Sequence, residues 1–167
     1  MLDSELRVSR LNIFLFDFRQ AREFAQYILK KRLHSIKTPT AKAKLVHLAF
    51  NTSLIISYAR PFRKSNEPQG LSRVALTTSI GFLEKKEKAL HAQVMSKRDQ
   101  AFAHSDALSH EIAGFNYESK SKLKLYKSAF DPLPIEETLL LRRIIDKWIS
   151  HIESLRTAAK QNDCVGQ

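Results

Sequence analysis

Leu141, Ile144, Ile145, Trp148, Ile149, Ile152 and Leu155 recur at three- and four-residue spacing. That period places apolar groups on one face of a helix, whereas a half-buried strand would alternate. The same spacing appears in Leu11, Phe14, Leu15, Phe18, Ala21, Arg22, Ala25, Ile28 and Leu29, which marks a first helix from about Ser9 to Leu33. With only 4 Gly and 5 Pro in 167 residues, the chain lacks the turn-makers that an all-β fold needs. These patterns predict an all-α protein.

Two further helices complete the expected bundle. Thr38 as N-cap and Pro39 at the first helical position open a second helix. It runs through Leu45, Leu48, Ala49, Thr52, Ile55, Ile56 and Ala59 and should stop just before Pro61. Residues 62–79 read as a polar loop, with residues 63–70 as its breaker cluster. A third helix follows from about Phe82 to Ala103. The fourth, carrying the Trp148 stripe, begins near Pro134, with Glu136 and Glu137 suited to the positive end of the helix dipole. Between the last two, residues 105–133 hold alternating Phe115-Asn116-Tyr117 and Leu123-Lys124-Leu125, so a small hairpin and a loop insertion both remain open. The expected architecture is a four-to-five-helix bundle, one domain over residues 1–160, with a polar C-terminal tail over 161–167.

Charge narrows the partners. A formal net charge of +11 points to a polyanion, nucleic acid first and a membrane surface second. The plainer reading is a basic surface that only keeps the protein in solution. The single cysteine, Cys164, allows neither a disulfide within a monomer nor a cysteine-based metal site, which fits a cytoplasmic location. The apolar stretch at residues 11–18 is too short to span a bilayer, and Asp17 interrupts it. No membrane segment and no signal peptide are expected.

The third helix carries the candidate chemistry. Leu83, Glu87, Leu90, His91, Val94, Met95, Arg98, Ala101 and Phe102 share one side, so Arg98 stands in an otherwise mostly apolar stripe. An arginine there must be paired or used. His104 follows, a group that titrates near neutral pH. Histidine can move a proton to or from a ribose 2′-hydroxyl or a leaving oxygen, and arginine can hold the phosphate. Asp99 could orient either group, and no metal is needed. A spacing of six residues turns the two side chains about 120° apart on an ideal helix. The helix must therefore unwind after Phe102, or a second copy of the chain must complete the site.

The string Arg98-Asp99-Gln100-Ala101-Phe102-Ala103-His104 resembles the motif of the HEPN superfamily, in which an arginine and a polar residue precede a histidine by a few positions. Its context looks like the abortive-infection and toxin-like prokaryotic members, and Ser57-Tyr58-Ala59-Arg60-Pro61-Phe62 is similar to segments of that group. The resemblance implies a metal-independent endoribonuclease of toxin or defence character. It implies a homodimer with Arg98, Asp99 and His104 as catalytic residues in a cleft between protomers, and a cognate antitoxin or other protein partner. Arg60, Tyr58, Lys97 and His91 are the candidate RNA contacts. The alternative is a non-catalytic helical module of the same type that binds a protein, nucleotide or nucleic acid.

Each of these residues also has a plainer role. His91 suits a hydrogen-bonded core histidine. Arg60 could cap the last carbonyls of the second helix. Trp148 suits the core or a dimer interface. Glu87 and His91 stand four apart, but no other helix offers the matching Glu-x-x-His of a di-metal bundle, so neither a metal nor any other cofactor is expected. The clusters Lys30-Lys31-Arg32, Arg142-Arg143 and Lys120 to Lys127 read first as solvated faces, and otherwise as salt-sensitive phosphate contacts.

Overall fold

The structure is a computed structural model that describes residues 2–35, 40–63, 76, 80–102 and 131–165. Among these residues the fold is all-α, with no strand. Four helices appear: α1 (Leu2–Lys30), α2 (Ala41–Ala59), α3 (Lys85–Phe102) and α4 (Ile135–Val165). Short 3-10 turns occupy Leu33–Ser35, Arg60–Phe62 and Ile80–Phe82. The hairpin or loop expected at 105–133 lies outside the described residues up to position 130.

Helix boundaries differ from the sequence expectation where polarity is a poor guide. α1 begins at Leu2 rather than Ser9, because nothing in residues 2–8 is a Gly or Pro that would stop it. It ends at Lys30, and Arg32 then takes a left-handed conformation at φ 49°. α2 is capped by Thr40 instead of Thr38: the Thr40 hydroxyl accepts a hydrogen bond from the Ala43 amide at 3.2 Å, and the helix starts at Ala41. α4 continues to Val165, through residues expected as a tail, since Gln, Asn and Asp do not end a helix and the first glycine is Gly166.

Side-chain pairs fix the packing directions. Arg156 reaches Asn12, Glu153 pairs with Arg19, and Asp146 pairs with Arg22. Numbers that fall along α4 as they rise along α1 show the two long helices running antiparallel. Tyr27 stacks on Phe50 at 4.1 Å between centroids, and Ser57 donates to Gln20, so α1 and α2 are antiparallel as well. Between the long helices lies the core of Leu11, Phe14, Leu15, Phe18, Ala21, Ala25 and Ile28 against Leu141, Ile144, Ile145, Trp148, Ile149 and Ile152. Phe18 and Trp148 stack nearly parallel at 5.7 Å, and Phe62 and Phe82 meet the indole edge-on.

The stripes expected for α1 and α4 are the buried ones. For α2 the phase is different: Leu45 is 65% exposed, while Asn51, Leu54, Ile55, Ser57, Tyr58 and Ala59 are buried. The C-terminal half of α2 is apolar on most sides, so spacing alone does not select a face. The two inward polar residues have partners. Asn51 accepts the Leu133 amide at 3.0 Å, and Ser57 donates to Gln20 at 3.0 Å. Among the described residues no helix is long and apolar enough to cross a membrane.

Candidate functional site

α3 is positioned first by its own start. The Glu87 carboxylate accepts the Glu84 amide at 2.8 Å, one half of a capping box. The same carboxylate takes a 2.8 Å bond from Lys147 of α4, which also reaches Glu84 at 3.4 Å. Burial pushes the Glu87 carboxyl up, but the bonds from Lys147 and the Glu84 amide outweigh it and hold the group below its usual range. Glu87, a carboxylate on the mostly apolar side of α3, is thus an anchor between α3 and α4. Lys147 is raised in turn by the Glu87 bond.

One turn further along, His91 meets α2. Its Nδ1 and the Tyr58 hydroxyl share a 2.8 Å hydrogen bond whose direction depends on the imidazole tautomer. Phe62 lies edge-on to the same ring at 4.8 Å. Burial lowers the His91 pKa, and it raises the Tyr58 phenol well above its ordinary value. His91 is therefore a hydrogen-bonded histidine at the edge of the core, the plainer of its two expected roles. Tyr58 is fully buried, with Phe18 and Phe62 against its ring. The expectation that Tyr58 contacts RNA is corrected: its ring has no free face and its hydroxyl is already committed.

At the other end of α3 a charged cluster forms. Asp99 Oδ1 accepts a 3.1 Å bond from Arg98, and Asp99 Oδ2 accepts one from Arg63, which follows the 3-10 turn at the end of α2. Two guanidiniums thus share one carboxylate. The Arg98 side chain is 27% exposed and that of Asp99 47%, so the cluster opens to solvent at the rim of the bundle. Asp99 is paired with Arg98, its neighbour in sequence. His104 lies outside the described residues. Lys97 donates to the Asp131 carbonyl at 3.2 Å, which brings the approach to α4 beside the cluster.

Arg60 is placed apart from this cluster. It lies 3.5 Å from Asp17 and donates to Gln20 at 3.2 Å, both on α1. The Asp17 side chain is buried, so Arg60 offsets a charge that would otherwise be costly to hold at the core edge. Its guanidinium is not spent on the last carbonyls of α2.

The structure therefore joins Arg98 with Asp99 and His91 with Tyr58, and it sends Arg60 to α1. Sequence reasoning missed Arg63, which sat unremarked among loop residues. A signal did exist, since Arg63 is the first polar residue after a proline-stopped helix that packs on α3. It also read Asp17 only as an interruption of an apolar run, although a carboxylate among Phe14, Leu15 and Phe18 needs a cation from elsewhere. Among the described residues no three histidine, cysteine or carboxylate side chains come together in a way that could hold a metal ion.

A carboxylate held by two arginines leaves one net positive charge at a partly exposed rim, where a phosphate could share the guanidinium donors. His91 is engaged through Nδ1 by the Tyr58 hydroxyl, with Phe62 edge-on to its ring. Comparison with protein-family models, characterised proteins and solved structures finds no match to this chain.

Proposed function

We propose that the end of α3 is a phosphodiester-handling site, and that the protein is a metal-independent endoribonuclease of the HEPN kind. The observation that carries this reading is the shared carboxylate: Asp99 holds Arg98 in place while Arg63 is delivered to the same point from α2. Arg98 and Arg63 supply the planar, permanently charged donors that suit a phosphate and the charge that develops on it. Asp99 fixes Arg98 and is not itself a proton donor in this reading. His104, two residues past the last helical residue Phe102, is the proton-transfer group. It takes the ribose 2′-hydroxyl proton as that oxygen attacks phosphorus; the P–O5′ bond breaks, and the leaving oxygen takes a proton from solvent. A second copy of the chain would complete the cleft.

The test is RNA cleavage by the purified protein in EDTA. Cutting is expected for the unaltered chain. It should be lost in both Arg98→Ala and His104→Ala, with helical content and melting temperature preserved. Intact RNA after incubation with the unaltered protein would refute the enzymatic reading.

A second reading has its own support. Arg98 is already neutralised by Asp99, as a purely structural arginine would be. A non-catalytic helical module that binds a polyanion would then show RNA binding without cleavage.

A further inference from the structure

Residues 24–66 contain no aspartate or glutamate, yet they hold nine lysines and arginines. The fold gathers five of them at one end of the bundle. Lys30, Lys31 and Arg32 close α1, and Lys42 and Lys44 lie in the opening turns of α2; all five are exposed. The two helix ends are held side by side by the Tyr27–Phe50 stack and by His34 against His47, whose rings lie 4.8 Å apart. Among the described residues no carboxylate pairs with any of the five. Elsewhere cations meet acids: Arg19 with Glu153, Arg22 with Asp146, Arg60 with Asp17, Lys147 with Glu87. The lysines that open α3, Lys85, Lys86 and Lys88, are interleaved with Glu84 and Glu87. Glu136, at the start of α4, borders the basic end and acts on His34 through its field.

One of the five occupies a costly position. Arg32 has φ 49°, the left-handed conformation that glycine takes without strain. Glycine would make the same turn with less strain, so Arg32→Gly removes this cation without asking more of the backbone.

We propose that this α1–α2 end docks the phosphate backbone of RNA. The choice of RNA rests on the reading of the α3 cluster given above; the docking surface itself rests on the charge segregation. Phosphates recur along a strand, and cations spread over two adjacent helix ends match that recurrence through counterion release, without base choice. A membrane fits less well, because the large exposed apolar side chains beside these cations are Leu45 and Tyr27, and the Tyr27 ring is already stacked on Phe50 with Lys31 over it. One free leucine and one engaged tyrosine give little insertion energy beside the two signals that stable anchoring takes.

The experiment compares two triple variants of equal charge change by anisotropy of a fluorescein-labelled single-stranded RNA across a salt series. Lys30→Gln/Lys31→Gln/Arg32→Gln is expected to weaken binding about tenfold and to lower the slope of log affinity against log salt by about 2. Lys85→Gln/Lys86→Gln/Lys88→Gln should change the slope far less. Equal losses in the two triples would show that net charge alone governs binding and would overturn the proposal. Arg32→Gly separates structure from docking: it should melt at the same temperature or higher and bind RNA about twofold to threefold more weakly. Unchanged binding by Arg32→Gly and by the first triple overturns the proposal. So does a first triple that loses affinity for phosphatidylserine vesicles but not for RNA. RNA bound at this end but left uncut sinks the enzymatic reading and keeps the docking surface. RNA cut equally well by the first triple does the reverse.

Discussion

At its first turn α3 buries Glu87 against Lys147; at its last it leaves Asp99 half exposed between Arg98 and Arg63. Both ends set a carboxylate among cations, and both tie α3 to a neighbouring helix. The difference is solvent. Glu87 has given up water and is repaid by a capping amide and an ammonium, so its partners cannot be exchanged cheaply. Asp99 keeps water within reach, and its two guanidiniums can be shared with another anion at small cost. One end is a clamp and the other is open to exchange, on a single helix.

The largest effect that would break this contrast lies at the clamp. Glu87→Ala should cost about 2 kcal/mol in thermal or urea unfolding, through the lost cap and the lost bond to α4. The pH dependence follows from the direction of its shift. Because the folded carboxyl is held below its ordinary value of 4.5, its contribution is fully present above that value and is lost as pH falls through the folded one. Glu87→Gln should therefore flatten the acid limb of the stability curve. An unaltered acid limb would mean that the clamp is no clamp.

A middle-sized effect is expected between the two ends. Tyr58→Phe removes the partner of His91 Nδ1 at a mostly buried contact, and should cost about 1 kcal/mol. NMR of the His91 ring would show the change directly, in a tautomer no longer fixed by the phenol.

A smaller effect, read as a slope, comes from the far end of α1. His34 and His47 touch each other, and the Nε2 atom of each is buried without a partner among the described residues. Burial lowers both from 6.5; Glu136 partly opposes this at His34, and the His34 ring adds to it at His47. The folded state therefore binds fewer protons than the unfolded one just below that value, and stability should fall as pH drops from 6.5 toward the folded values. His47→Phe should reduce that slope. A steeper slope in the variant would contradict the assignment.

How much of this was legible in the sequence depended on whether a residue's partner lay on its own helix. The stripes of α1 and α4 gave the bundle, because on each long helix most of the large apolar residues recur on one side, Phe16 and Leu139 being among the exceptions. α2 was misread in phase, since its apolar residues surround it and only Asn51 and Ser57, through Leu133 and Gln20, select the inner face. The capping threonine was displaced by two residues because Thr38 and Thr40 offer the same chemistry two positions apart. At the site, Asp99 beside Arg98 is local and was readable. Arg63 and the burial of Tyr58 depend on how α2 crosses α3, which no spacing along the chain encodes.

The smallest expected change in stability is at Asp99, and it discriminates most. Asp99→Asn keeps the shape and a carbonyl acceptor but removes the charge that two arginines share. Because all three side chains are partly exposed, the released guanidiniums can be hydrated, and unfolding should shift by no more than about 0.5 kcal/mol. A loss as large as that of Glu87→Ala would make the open end a second clamp and erase the contrast between the two ends of α3. If stability holds, the same variant reports on chemistry. A structural Asp99 predicts tighter RNA binding, since one negative charge has left a basic rim. An orienting Asp99 predicts that binding is kept or improved while cleavage in EDTA falls, because Arg98 still attracts phosphate but no longer holds one position.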